Sequence, residues 1–245
     1  MKFVFSIVSH GQRSEVEALL ESLERWVVIG PHSLELIITN NLGDSDWKVK
    51  CSSIVVKTIN NPRPKGFGDN HNSAFSTVSC DVFCVVNPDI VFIKDFDLNV
   101  LASVAGRKCI ASPNILESDF SPADFRRADL TPVNLLRRKF FQTRQNVDLD
   151  FDWIAGMFLV FPSDFFRDIK GFDTRYFMYV EDCDICRTAS KYNGELKVLE
   201  ALVVCHHAQR QSRRSLKHFR WHVASLLRFW LKNLWEYSSR FRSVE

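Results

Sequence analysis

Two short acidic groups carry the strongest chemical signal in the chain. Asn87-Pro88-Asp89 follows a wholly apolar run, Val82-Phe83-Cys84-Val85-Val86. A carboxylate leaving a buried strand can hold a hard cation against diphosphate oxygens. The competing reading is an Asx/Pro turn that merely ends a strand. Glu181-Asp182-Cys183-Asp184 places three carboxylates in four residues. At a helix start they suit the macrodipole, which is a structural competitor. The preceding Gly171-Phe172-Asp173 turn and the run Tyr176-Phe177-Met178-Tyr179 favour chemistry. Aromatic walls exclude water and raise a carboxylate's pKa into the general-base range.

Other motifs are weaker. Cys183-x-x-Cys186 with His206-His207 suggests zinc, but adjacent histidines miss the usual spacing and the cysteines fall in a helical pattern. A single histidine after the last strand can instead complete a divalent site with Asp89. The turn Ser9-His10-Gly11-Gln12-Arg13 has one glycine, and Gly66-Phe67-Gly68 lacks the third that a dinucleotide fingerprint needs. A Walker phosphate loop is absent.

The elements that must position these groups alternate. Lys2 to Val8 reads as a strand, and Val16, Leu19, Leu20, Leu23 and Val27 have helical spacing. Ser14 and Glu17 form a capping-box pattern at that helix's start. Leu34 to Thr39 and Ile54 to Ile59 are further strands, rich in β-branched residues. The loop Asn60 to Gly68 precedes a helix from Asp69 and the buried strand Asp81 to Val86. This rhythm predicts an α/β fold, a mainly parallel sheet with helices on both faces. Ligands then bind beyond the carboxyl ends of the strands, where Ser9-His10, Asn40-Asn41, the Asn-Pro-Gly loop and Asn87-Pro88-Asp89 fall. From Pro113 to Asp150 periodicity fails, and a long irregular segment reads as a functional lid or partly disordered chain. It contains the basic run Arg137-Arg138-Lys139. Phe151 to Phe161 reads as a strand, Glu181 to Lys191 as a helix and Leu196 to Cys205 as the last strand.

With 46% hydrophobic and 25% charged residues in 245, intrinsic disorder and collagen-like sequence are excluded. The longest near-continuous apolar stretch, Ile154 to Phe161, is too short to span a bilayer. Met1 to Ile7 is too short and too alternating for a signal peptide. Seven scattered cysteines read as reduced, buried thiols of a cytoplasmic protein. Residues 206–245 hold nine Lys/Arg and two Glu, a local +7; residues 1–205 hold 23 basic and 27 acidic side chains, or −4. A basic tail on an acidic body suits contact with an anionic surface, membrane or nucleic acid; nucleic-acid recognition motifs are absent. Leu216, Phe219, Val223, Leu226, Leu227, Trp230, Leu234, Tyr237 and Phe241 recur at helical spacing, with Arg213, Arg214, Lys217, Arg220, Arg228 and Lys232 interspersed and Trp221 and Trp235 off the stripe. Such a helix suits peripheral contact with the inner face of the cell membrane; the alternative is packing on the domain or on a second subunit of a homodimer.

Five segments in register resemble a bacterial family-2 glycosyltransferase of the GT-A fold, rhamnosyltransferase-like, of cell-surface polysaccharide assembly. They are Ile7-Val8-Ser9-His10, Asn60 to Phe75, Val86 to Ile90, Trp153 to Met157 and Gly171 to Arg187, closed by His206-His207. The resemblance implies a GT-A domain over 1–205 and a basic helical extension over 206–245. It implies that Ser9, His10, Asn40, Lys65, Gly66, Phe67, Asn72, Asn87, Trp153 and Gly156 bind a nucleotide sugar, with Asp69 supporting the loop. Asp89 and His206 would hold Mg²⁺ or Mn²⁺, with His207 as the fallback ligand, and Asp182 would be the catalytic base beside Glu181. The implied reaction is inverting transfer from a dTDP- or UDP-sugar, dTDP-rhamnose among them, to a glycan or lipid-linked glycan. Asn87 stands where the family's DXD motif has its first aspartate, and Asn40 where an acidic residue is common. Both remove negative charge near the diphosphate, which leaves a nucleotide-sugar-binding protein without turnover as the alternative.

Overall fold

A computed structural model describes residues 1–43, 46–131, 134, 151–207 and 216–242, with side chains of the last helix from 218 to 234. The Arg137-Arg138-Lys139 run, Arg213, Arg214 and the side chains of Leu216, Lys217, Trp235, Tyr237 and Phe241 lie outside them. The chain runs β1 (Lys2–Ser9), α1 (Arg13–Trp26), β2 (Val27–Val28), β3 (Ser33–Asn40), β4 (Ile54–Asn60), α2 (Phe67–Ser76), β5 (Val82–Val86), β6 (Ile90–Phe92), β7 (Phe96–Asp97) and α3 (Leu98–Ala102). It continues through β8 (Cys109–Glu117), β9 (Arg126–Arg127), β10 (Trp153–Ile154), β11 (Phe158–Pro162), α4 (Ser163–Asp168), α5 (Glu181–Lys191), β12 (Glu195–His206) and α6 (Leu216–Arg242).

One eight-stranded sheet has the order β4-β3-β1-β5-β11-β8-β12-β6. The pairs β1–β3, β1–β5, β3–β4 and β8–β12 are parallel, as the alternating pattern predicts. β11 runs antiparallel to β5 and β8, and β6 antiparallel to β12. β11 starts beside the carboxyl end of β5, where Asn87 N donates to Met157 O (2.9 Å). A strand that starts at this end of β5 runs back along it antiparallel.

Several boundaries differ from the sequence reading. The segment expected to be irregular from Pro113 begins as strand, because β8 continues to Glu117. Pro113 pairs with Leu199, where the register of β12 shifts, so its missing N–H disrupts little. The single strand expected over 151–161 breaks at Ala155-Gly156-Met157: Trp153–Ile154 pairs with β9, and only Phe158–Pro162 joins the main sheet. The capping box is not used. Gln12 is the N-cap residue of α1, Ser14 Oγ donates to Glu15, and Glu17 accepts from Arg13 Nε (2.7 Å). α2 starts at Phe67 rather than Asp69.

Phenylalanines fill both faces of the sheet. Phe83 packs edge-on to Phe75 of α2 (5.1 Å), and Phe161 and Phe75 both meet Phe166 of α4 (4.8 Å). Strand alternation sends Phe5 and Phe158 to the other side, where they meet each other (5.7 Å) and Phe92. All seven cysteines are free thiols, five of them buried.

The last helix adds Leu226 and the fully buried Phe229 to this core. Ser225 Oγ donates to Met178 O (3.0 Å) and Trp230 Nε1 to Leu130 O (2.8 Å). Lys232 Nζ reaches Asp173 (3.1 Å) and the buried Asp184 (2.7 Å), whose other oxygen accepts from Tyr176 OH. Burial raises the Asp184 pKa, and Lys232 opposes that rise. Lys232→Met should therefore leave a buried carboxylate without its cation. The expected loss is about 2 kcal/mol, below a fully buried pair because Lys232 keeps some solvent contact. A thermal melt should fall by roughly 4–8 °C, and adding Asp184→Asn should recover part of the loss.

Candidate active site

At the carboxyl end of the sheet, Ser9, Asn40 and Asn60 lie side by side in register. Asn40, only 2% exposed, spends its amide on protein: Nδ2 donates to Asn60 Oδ1 (2.7 Å), and Oδ1 accepts from Trp47 Nε1 (2.9 Å). Asn41 does the equivalent one residue on. Its Oδ1 accepts from Lys65 N and Asn61 Nδ2 (2.8 Å each), and its Nδ2 donates to Lys65 O (2.9 Å) and faces His10 Nδ1 (3.2 Å). This amide ladder fixes the start of the 65–67 loop beneath His10. Burial holds His10 below its ordinary pKa and pushes His71, bonded to Ser6 Oγ at 2.8 Å, down to about 3. Both imidazoles are neutral at pH 7. Lys65 Nζ reaches Ser73 Oγ (2.9 Å) and Asp69 (3.8 Å).

The loop is then locked to the segment before α5. Phe67 N donates to Phe177 O (2.9 Å), and a Cβ on Gly66 would stand 2.7 Å from that oxygen. Asn72 accepts from Phe172 N (3.0 Å) and donates to Phe172 O (2.8 Å). Its amide therefore clamps the Gly171-Phe172 turn rather than facing a ligand. The Phe67 ring meets His71 (4.5 Å) and Phe172 (5.7 Å). Tyr179 and Val180 both take left-handed backbone, at φ +71° and +72°. For a β-branched valine this is strained, and such strain collects at functional turns.

Glu181 and Asp182 follow at once. Asp182 Oδ2 accepts from Gly156 N (3.0 Å) and Oδ1 from Cys183 N (2.9 Å). Glu181 is 6% exposed, and its Oε2 has no partner. Burial raises both pKa values. Backbone N–H groups, chiefly that of Gly156, and then Arg127 pull Asp182 back, whereas the Asp182 charge pushes Glu181 higher still. The donors on Asp182 favour its ionised form, the form that accepts a proton from a hydroxyl. Trp153 supports this corner from below: Nε1 donates to Ala128 O (2.8 Å), and the Arg127 guanidinium lies over its ring at 5.1 Å.

The second acidic group lies across the β11 start. His206 ends β12 between Ile90 of β6 and Glu117 of β8. Its Nε2 is 3.3 Å from Asp89 Oδ2, and its Nδ1 is 3.9 Å from Glu117. Burial alone would lower the His206 pKa, but Asp89 and then Glu117 raise it on balance. Asp89 Oδ1 and His206 Nδ1 are buried without hydrogen-bond partners. Asp89 Oδ1, an unpartnered carboxylate oxygen at a strand end, suits a divalent cation, and His206 Nε2 lies beside the same carboxylate, whereas the unpartnered Nδ1 is on the Glu117 side of the ring. Among the described residues no cluster of three or more His, Cys, Asp or Glu side chains forms a self-sufficient metal cage. His207 donates its N–H to Asp89 O (2.8 Å), and its side chain is exposed. Cys183 and Cys186 are buried within α5, with Cys186 Sγ toward Ile154 O. The two acidic groups are linked: Asn87 bonds Met157, next to the Gly156 that bonds Asp182.

No protein-family model matches the chain. It is 29% identical over 245 residues to the rhamnosyltransferase WbbL of Escherichia coli (strain K12), covering 91% of this chain and 90% of that protein. The fold matches GalNAc-T7 solved with UDP, GalNAc and Mn²⁺ (TM-score 0.60, 16% identity, 86% of this chain and 44% of that one). It also matches the mannosyltransferase PcManGT from Pyrobaculum calidifontis solved with GDP-Man and Mn²⁺ (0.61, 12%, 92% and 64%). A third match is S. aureus TarS 1–349 (0.56, 12%, 84% and 60%). The chain has the GT-A fold of these glycosyltransferases. It spans less than two thirds of each of these three solved structures, but nearly the whole length of the curated relative.

Sequence reasoning assigned no site role to four residues that the fold places here. Asn41 carries the ladder that Asn40 was expected to serve, and it sat beside Asn40 at the same strand end. Glu117 closes the Asp89–His206 pair but lay in the stretch read as irregular. Arg127, whose charge acts on both Asp182 and His206, had no local pattern to mark it. His222 of α6 meets Tyr179 edge-on (5.4 Å) and feels the Asp182 charge, which only the tertiary fold can show. Gly66→Ala tests the interlock. The added Cβ must displace the Phe177 backbone, so stability should fall by about 2 kcal/mol, read as a thermal melt several degrees lower.

Proposed function

We propose that this protein is a glycosyltransferase that moves a sugar, with inversion, from a nucleoside diphosphate donor to a hydroxyl of a glycan or lipid-linked glycan. The observation that carries the reading is the Asp182 carboxylate, held by the Gly156 N–H and linked through Met157 to the Asp89 turn. Asp182 takes the proton of the acceptor hydroxyl as that oxygen bonds the anomeric carbon from the face opposite the leaving group. The bond from carbon to diphosphate oxygen breaks, and the diphosphate leaves with its electron pair. Asp89 and His206 would hold Mg²⁺ or Mn²⁺, which would neutralise charge on that diphosphate. Ser9, His10, Lys65, Gly66, Phe67 and Asn87 line the donor side. Asn40, Asn72 and Trp153 act through the loops that they hold, since their polar groups are engaged by protein. Glu181, its pKa raised by burial, shields the base from water.

The donor is a dTDP- or UDP-sugar, and the likeness to a rhamnosyltransferase supports dTDP-rhamnose. Transfer belongs to 1–205 and positioning to the 206–245 extension. The neutral Asn87 leaves Asp89 as the carboxylate at the diphosphate. Free, mostly buried thiols suit a reducing cytoplasm, where such donors are made into surface polysaccharide of the O-antigen or capsule type.

A panel of nucleotide sugars, read first by thermal shift and then by product anomer in NMR, tests the reaction. Asp182→Asn should lower kcat by about 10³-fold with donor affinity nearly intact, whereas Glu181→Gln, which mimics a neutral carboxyl, should lose less than about tenfold. Because burial raises the Asp182 pKa, the base is active above that pKa and lost below it. The pH profile of kcat/KM should therefore show an acidic limb above the ordinary aspartate range. A limb within the ordinary range would remove Asp182 from the role. Asp89→Asn should weaken Mn²⁺-dependent binding of the nucleoside diphosphate by about 10–100-fold in calorimetry, while binding without metal changes little.

A further inference from the structure

The stripe expected on α6 divides between two faces. Leu226, Phe229 and Asn233 are buried against the domain, whereas Phe219, Val223, Leu227, Leu231 and Leu234 are 66, 38, 52, 69 and 56% exposed. Their spacing of four, four, four and three residues puts them on one side of the helix. A contiguous apolar ridge of this kind marks an interaction surface. We propose that this outer face of α6 seats on an anionic lipid bilayer.

Three observations select that occupant. The ridge is bordered by the exposed Arg220, Arg228 and Lys232, and residues 206–245 carry +7 against −4 for the rest of the chain. A two-fold contact with a second copy would set this basic flank against its own image, whereas anionic headgroups neutralise it. Beside the ridge lies a groove of about 520 Å³ lined by Arg175, Ala224, Leu227, Arg228, Leu231 and Lys232. Leucines next to guanidinium and ammonium groups match an amphiphile with an acidic head. Asp173 and Asp184 offset two of the three cations there, through Arg175 and Lys232. Arg228 donates to Arg175 O and keeps its charge uncompensated by those carboxylates.

The same helix adjoins the catalytic corner. Trp221 packs on Phe177 (4.7 Å), Tyr179 OH bonds His218 Nδ1 (2.7 Å), and His222 feels the Asp182 charge. Docking through the outer face therefore brings the base close to the lipid surface, where an acceptor on a lipid carrier would be presented. That purpose rests on the transfer reading; the docking itself does not.

Co-sedimentation of the full chain with phosphatidylglycerol-containing vesicles, against pure phosphatidylcholine vesicles, tests the surface without any donor. Binding should be at least about tenfold tighter to the anionic vesicles and should fall in about 1 M salt. Leu227→Ser combined with Leu231→Ser should weaken it by about tenfold or more with an unchanged thermal melt, and Arg220→Glu should weaken it at low salt. Failure of the native chain to bind anionic vesicles, or equal binding by the leucine variant, overturns the proposal. So does a dimer in sedimentation velocity that the leucine variant dissociates, which assigns the face to a second copy. Loss of transfer in Asp182→Asn with vesicle binding intact keeps the two readings separable.

Discussion

A single backbone hydrogen bond, Gly156 N–H to Asp182 Oδ2, sets the conditions for everything around it. It requires the chain to break between β10 and β11, because a residue within a sheet ladder would have no N–H to spare. It also offsets part of the burial that would otherwise keep Asp182 protonated. A buried carboxylate is tolerable only when fixed donors replace water. The contrast with Glu181 makes the point: similar burial, without a partner on Oε2 and beside the Asp182 charge, pushes that carboxyl's pKa higher.

The corner is rigid because three separate segments interlock there. The 65–67 loop rests on the asparagine ladder and presses Gly66 against Phe177. Asn72 grips both backbone groups of Phe172. α6 closes the outside through Ser225, Trp221 and His218, and Lys232 ties it to the helix that carries the base. Strained backbone at Tyr179 and Val180 is affordable only within such a frame.

Much of this was legible before any coordinates. Parallel strands declare themselves by apolar, β-branched runs, so β1, β3, β4 and β5 emerged with nearly correct ends. Asp89, His206 and Asp182 stood at places where strand or helix ends make chemistry accessible. What escaped has a common physical origin. β8 was obscured by a proline that the β12 register shift accommodates, and the break at Gly156 is invisible in an apolar run that packs on both sides of it. Asn40 and Asn72, whose roles the resemblance implies, are consumed by other protein groups, and Arg127 and His222 arrive from distant segments. Side-chain identity was readable, whereas side-chain occupation was not.

The strand order has a bearing on biosynthesis. β4, β3, β1 and β5 are complete once residue 86 has emerged, yet they join β8, β12 and β6 only through β11. Until residues 158–162 arrive, the fully apolar β5 presents an open hydrogen-bonding edge, the kind of template that recruits unrelated strands. The nascent chain must therefore stay guarded across some seventy residues of translation, and ribosome-bound fragments ending before residue 158 should be the forms most dependent on chaperones.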